Sequence, residues 1–379
     1  MRKVILLSLS LALGWGLSIS SQAFSDDTSQ GKRARDYGWA PGFMTPGTHN
    51  AITDVAGITV GHITLHDDAK GQHTGVTAII PHQGNVYADK VPAGYFQGNG
   101  FGKMMGTTQV IELGELETPI MLTNTLNVAD AAKGAIEWTL TQKGNEDVRS
   151  VNAIVGETND GRLNDIRARF VTMKIAQNAI EVAKSGPVQE GAVGAGSGTV
   201  AFGFKAGIGT SSRVLSERAG GYTVGVLVQA NYGGDLHIMG QPVGRQLKDI
   251  EAQKTGPDGS VMVIIATDAP LSDRNLARLA KRGSLGIART GGIMSNGSGD
   301  YFLAFSTNKE VRRTPERRNT PTTIAELPNN LLTPLFAAVI EATEEAVYNA
   351  LVAAVDIKGY NGKVTKALPV DKVQKLLGN

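Results

Sequence analysis

Ser260 stands where Gly256-Pro257-Asp258-Gly259 gives way to Val261-Met262-Val263-Ile264-Ile265-Ala266. Proline, aspartate and glycine in that order make a turn, and the β-branched run after them reads as a buried strand. A serine at such a junction can be the nucleophile of an enzyme that cuts its own chain. Breaking the Gly259–Ser260 bond would leave Ser260 with a free α-amine beside its own hydroxyl. An amine with a reference pKa near ~8 serves as base at neutral pH without a histidine. The same residues also describe an ordinary turn before an ordinary strand, so the rest of the chain has to decide.

Four other side chains could complete such chemistry. Asn231 follows an apolar run at 222–229, and its amide can donate to an oxyanion. Ser298 and Asp300, in Asn296-Gly297-Ser298-Gly299-Asp300, could orient an amine or pass a proton; the plain alternative is a hairpin turn. Glu157 lies in a polar loop and could hold a substrate ammonium, or could be a solvated carboxylate.

Competing chemistries find less support. His62 and His66 are four apart, with His73 and His82 nearby, a spacing that on a helix could bind zinc and support a metal-dependent hydrolase. Residues 57–63 read as strand and His-Glu-x-x-His is absent, so no metal ligand is assigned. Gly-x-Ser-x-Gly does not occur. Ser306-Thr307-Asn308-Lys309 and Lys254-Thr255-Gly256 match penicillin-binding motifs in reversed order, and count as chance. Gly194-x-Gly196-x-x-Thr199 has no strand before it and no third glycine, so it reads as tight strand packing rather than a dinucleotide loop. No cofactor is expected. The absence of cysteine removes disulfides, thiolate nucleophiles and zinc–cysteine sites.

The elements that must position these residues follow from periodicity and punctuation. Residues 26–46 read as an irregular arm and 98–102 as a glycine-rich turn. Strand-like runs occur at 52–63, 75–81, 118–125, 151–155, 222–229 and 301–306. Helices are expected over 128–142 and 334–355. Another starts near Asn164 or Asp165, with Ile166, Phe170, Met173 and Ile180 on one face. A fourth is capped by Ser272, runs through Arg282 and is stopped by Gly283. A polar connection at 235–259 precedes Ser260. The expected class is α/β: two packed sheets with helices outside, a four-layer α/β/β/α sandwich.

The chain has 379 residues, 47 glycines and a net charge of +2, so bulk charge does not point to nucleic acid. Arg2 and Lys3, the apolar stretch 4–19 and Ser21-Gln22-Ala23 form a secretory leader ending between Ala23 and Ser25. The expected compartment is a bacterial periplasm. No later stretch reaches ~18 apolar residues, so no membrane association is expected of the mature form.

Three segments together resemble the self-cleaving serine aminopeptidases: Gly259-Ser260 through Leu271, Asn296 to Ser306, and Gly207-Ile-Gly-Thr-Ser-Ser-Arg213. That family holds the L-aminopeptidase/D-alanine amidase-esterase and the β-peptidyl aminopeptidases, and the likeness runs from about residue 35 to 355. It implies a fold of the N-terminal-nucleophile hydrolases in a single domain. Cleavage between Gly259 and Ser260 would give a large fragment, 26–259, and a small one, 260–379. By resemblance Ser260 is the nucleophile and Asn231 the oxyanion donor. Ser298 and Asp300 complete the site, and Glu157 binds the substrate's free amine. The amidase branch has a tyrosine where this chain has Asn159, which favours the β-peptidyl branch. The implied partners are a small peptide or amide with a free N-terminal amine, and other copies of the two-fragment unit.

Overall fold

Apolar runs broken by glycine-rich turns build two large sheets and two small two-stranded ones, described over residues 31–248 and 259–378 of a computed structural model. The leader at 1–25, Lys254-Thr255-Gly256 and the Pro257-Asp258 turn lie outside the described residues. In chain order the strands are β1 (Thr59–Asp67), β2 (Gln72–Ile80), β3 (Val91–Gly100), β4 (Met104–Met105), β5 (Glu115–Leu116), β6 (Ile120–Asn124), β7 (Ile154–Thr158), β8 (Val200–Ala201), β9 (Phe204–Lys205), β10 (Ile208–Val214), β11 (Thr223–Asn231), β12 (Ser260–Thr267), β13 (Gly299–Ser306), β14 (Ile357–Lys358) and β15 (Val364–Thr365). The α-helices are α1 (Thr107–Leu113), α2 (Val128–Leu140), α3 (Met173–Glu181), α4 (Val243–Lys248), α5 (Asp273–Arg289), α6 (Pro315–Asn319), α7 (Thr333–Val352) and α8 (Val370–Leu377).

One sheet has the order β1-β2-β6-β7-β4 and the other β10-β11-β12-β13-β3-β5. Each contains one parallel pair, β6–β7 and β12–β13. A parallel pair needs a crossover, and α2 and α5 supply them. Helices α2 and α3 cover the first sheet, while α5 and α7 cover the second. The layers are therefore helix, sheet, sheet, helix.

The run after Ser260 is apolar on both faces for a visible reason. Val261, Val263 and Ile265 join the core that includes residues of α5 and α7. Met262, Ile264 and Ala266 join the core that includes the facing sheet. A strand buried on both sides cannot show alternation. Ser260 shares the parity of Met262, so it opens toward the gap between the sheets.

Two helix expectations need correction. Helix α5 does not stop at Gly283 but continues to Arg289. A Cβ on Gly283 would sit 2.7 Å from Phe302, so this glycine lets helix and strand approach closely rather than ending the helix. Ser272 is at the N-cap position, but its hydroxyl donates to Glu326 Oε1 at 2.8 Å instead of capping. Nor does a helix start near Asn164. Only a single 3₁₀ turn, Ile166–Ala168, forms there, and α3 begins after Thr172, whose hydroxyl accepts from the Ile175 amide. Strand β3 begins at Val91, ahead of the glycine-rich turn expected at 98–102.

The glycine-dense stretch 190–213 packs as expected. A Cβ on Gly196 would meet Ile208 N at 2.4 Å, and one on Gly209 would meet Ala346 O at 1.9 Å. Arg213, fully buried, ion-pairs with Glu341 and Glu345 of α7 and so pins β10 to that helix.

Candidate active site

Backbone register assembles the first wall of the site. Asn231 ends β11 and pairs with Ser260, which begins β12; Ser260 pairs in turn with Gly299, which begins β13. Three strand ends thus lie in one row. Gly259 precedes them at a point where no side chain fits: its Cβ would lie 2.3 Å from Asn231 O.

The Gly299 amide is shared. It donates to the Gly259 carbonyl oxygen at 3.2 Å and to Ser260 Oγ at 3.2 Å. The carbonyl of the Gly259–Ser260 bond and the hydroxyl beside it therefore face the same donor. Ser260 is 7% exposed.

Asn231 is oriented at both ends of its amide. Its Oδ1 accepts from the Val200 amide at 3.0 Å, and its Nδ2 donates to the Asn159 carbonyl at 3.1 Å. Anchored this way the amide keeps one N–H hydrogen unused by Asn159, which can donate to an anion.

Ser298 and Asp300 flank Gly299. The Ser298 hydroxyl contacts Asp300 Oδ2 and also lies 2.8 Å from the Ser295 carbonyl oxygen. One hydroxyl hydrogen cannot serve both acceptors, so the pair has two proton arrangements. Burial pushes the Asp300 carboxyl up to about 6, opposed by the Ser298 bond. Asn99 holds the turn from outside by donating to the Asn296 and Ser298 carbonyls. The segment is not a hairpin turn: it leads into β13, which runs parallel to β12.

The opposite wall comes from the other sheet. Glu157, near the end of β7, is 2% exposed. It accepts from the Lys103 amide at 2.9 Å and from the Thr125 hydroxyl, and its Oε1 lies 3.6 Å from Lys103 Nζ. Asn159 is exposed; its side chain closes a turn by accepting from the Gly161 amide at 3.0 Å. What Asn159 gives the site is its carbonyl, which aims Asn231.

Ser260, Asn231, Glu157 and Asn159 line one cavity of about 330 Å³, together with Phe101, Lys103, Thr125 and Arg162. Ser298 and Asp300 do not line it; of their loop only Gly297 does. Sequence reasoning missed Gly299, Thr125, Lys103 and Arg162. Gly299 sits between two residues already singled out, and Arg162 follows the Glu157 loop, but nothing local marked Thr125 or Lys103.

The histidines do not gather here. His62 and His66 lie on one strand, where four residues span about 13 Å, too far to share an ion. His62 Nδ1 instead pairs with Thr77 Oγ1 at 2.9 Å.

The same fold recurs in known proteins. Solved structures include a β-aminopeptidase from a Burkholderia species, with TM-score 0.86 and 40% identity over 92% of this chain and 98% of that one. An L-aminopeptidase D-Ala-esterase/amidase from Ochrobactrum anthropi, described as a prototype for the serine aminopeptidases and a variant of the Ntn hydrolase fold, gives TM-score 0.84 and 36% identity over 91% and 98%. A β-peptidyl aminopeptidase of Sphingosinicella microcystinivorans is 41% identical over 92% of this chain and 93% of its own length. Residues 50–365 match the description of peptidase family S58, and with relatives this similar along nearly the whole chain, the protein belongs to that family.

Proposed function

We propose that this protein is a serine aminopeptidase that activates itself by cutting between Gly259 and Ser260. One observation carries the reading: in the uncut chain the Gly299 amide bonds both the Gly259 carbonyl oxygen and Ser260 Oγ. Ser260 Oγ attacks the Gly259 carbonyl carbon, and charge growing on that oxygen meets the Gly299 N–H. The C–N bond breaks, the nitrogen keeps the electron pair and takes a proton, and an ester remains on Ser260. Water hydrolyses the ester, leaving a Gly259 carboxylate and a free Ser260 amine.

In the mature enzyme that amine takes the Ser260 proton as the hydroxyl attacks substrate. Asn231 donates to the new oxyanion, and the Ser298–Asp300 pair tunes the amine. Glu157 binds the substrate ammonium across the cavity, which restricts cleavage to the first residue. The substrates are peptides and amides with an N-terminal β-amino acid. The name of the Sphingosinicella relative and the absence of a tyrosine at Asn159 support this choice over the D-alanine amidase branch. The fragments stay together after cleavage because β11 and β12 pair across eight residue positions on either side of the cut. A leader over 1–25, a periplasmic location and assembly of two-fragment units belong to the same reading. Among the described residues no helix is long and apolar enough to cross a membrane.

Intact-mass measurement tests the first step. Wild type should give two fragments, the smaller beginning at Ser260, and Ser260→Ala a single chain; cleavage in that variant would refute the mechanism. Release of p-nitroaniline from β-alanyl, L-alanyl and D-alanyl anilides tests the second. An N-acetyl cap should abolish turnover, and faster D-alanyl than β-alanyl turnover would move the protein to the amidase branch.

A further inference from the structure

We propose that His66, Asp68 and His73 form a binding site for a divalent transition-metal ion at the tip of the β1–β2 hairpin, apart from the catalytic cleft. The β register makes His66 and His73 direct cross-strand partners. Asp68 begins the turn that joins their strands. The Asp68 Oδ1 atom lies 3.2 Å from His66 Nε2 and 3.4 Å from His73 Nε2. All three donor atoms fall within 4.8 Å of one another. An ion that holds nitrogen and oxygen at about 2.0–2.1 Å in a tetrahedron places its ligand atoms about 3.4 Å apart. Two of the three spacings already meet that value.

His73 supplies an independent observation. It is fully buried, and neither ring nitrogen makes a well-formed hydrogen bond: Nε2 faces Asp68 Oδ1 at 3.4 Å, and the Lys358 backbone lies near the ring. A buried polar group so weakly satisfied is costly and calls for an explanation. An ion at Nε2 provides one. His66 and Asp68 are about half and two-thirds exposed, which leaves an entry path and a coordination position open to solvent. Two imidazoles and one carboxylate suit Zn²⁺, Co²⁺ or Ni²⁺ better than Mg²⁺ or Ca²⁺, which take mainly oxygen.

The tip is tied to the loop that follows the anchor residue. The His73 amide donates to Asn164 Oδ1 at 3.1 Å, and Asn164 Nδ2 donates to Asp160 Oδ1 at 3.0 Å. The Asp165 amide donates to the Gly71 carbonyl at 2.9 Å. An ion at the tip would clamp the hairpin and, through these bonds, brace residues 160–165. None of the three ligands lines the cavity, so the ion takes no part in acyl transfer.

The test uses the full-length protein without a histidine tag, stripped with chelator. Titration with Co²⁺ should saturate at one equivalent and develop the visible bands of a low-symmetry nitrogen/oxygen site. Adding Zn²⁺ should abolish those bands and raise the thermal midpoint. His66→Ala and Asp68→Asn alter exposed side chains, so folding should survive; each should weaken Co²⁺ binding by about 10–100-fold or more. Ser260→Ala should bind like wild type, which separates this result from the catalytic reading. No saturable binding, or binding that persists unchanged in both ligand variants, would overturn the proposal.

Discussion

The wall that carries Ser260 and the wall that carries Glu157 face each other across one cavity but are held by different bonds. The Ser260 wall is a row of strand ends, Asn231, Ser260 and Gly299, set by ladder pairing in the six-stranded sheet. Its geometry belongs to the backbone and to a core packed on both sides of β12. The Glu157 wall also begins on a strand, but its carboxylate is aimed by the Thr125 hydroxyl and the Lys103 amide. Side-chain substitutions should therefore remove chemistry on the first wall and shift position on the second. On the proposed function, Ser260 must hold its place as nucleophile, whereas Glu157 has to accept an ammonium beside Lys103.

The comparison can be broken most strongly on the Ser260 wall. Asn231→Ala should lower kcat by about 10²–10³ with little change in KM, the effect of losing one oxyanion donor. A change mainly in KM would mean that Asn231 serves binding instead. The matching change on the other wall, Glu157→Gln, keeps shape and removes charge. It should lower kcat/KM for free-amine substrates by about 10–100-fold, consistent with loss of a charge-assisted contact. An unchanged kcat/KM would return Glu157 to a structural role.

Asp300 sharpens the contrast through pH. Burial pushes its carboxyl up to about 6 in the uncut chain. If the ionised form is needed to draw on Ser298, self-cleavage of refolded precursor should be about tenfold slower at pH 5 than at pH 7. Asp300→Asn should be slow and flat across that range; a persisting acid limb would assign it elsewhere. The stability sign follows from the same shift. Folding raises this carboxyl above its usual 3.8, so the folded state binds more protons between about 4 and 6. The stability contributed by neutral Asp300 is present below that window and is lost as pH rises through about 6. The smallest expected effect is Thr125→Val, which removes one hydrogen bond to Glu157. A loss of about 2–10-fold in kcat/KM, carried by KM, is expected. A fall in kcat alone would contradict the division between the walls.

Much of the site was legible because its residues sit at local punctuation. The turn before Ser260, the polar residue ending β11 and the Ser298-Gly299-Asp300 turn are readable from composition alone. Asn159 shows the limit of that reading. The family resemblance alone brings this position to the site, and its side chain folds onto Gly161 while its carbonyl accepts from Asn231. Gly283 shows another limit. A glycine in a helical pattern reads as a stop, yet this one is a contact point with Phe302.

By itself the sequence determined that a serine opens a doubly buried strand, that thiol chemistry is absent and that strands and helices intermix. Those properties live in residue type and short-range periodicity. Only the tertiary structure decided that Asn231, Ser260 and Gly299 share a row, that Thr125 and Lys103 aim Glu157, and that His73 meets His66 and Asp68 at the hairpin tip. These pairings join segments that turns, crossovers and whole elements separate. They are chosen by which strand faces can bury together, and short-range residue patterns do not encode that.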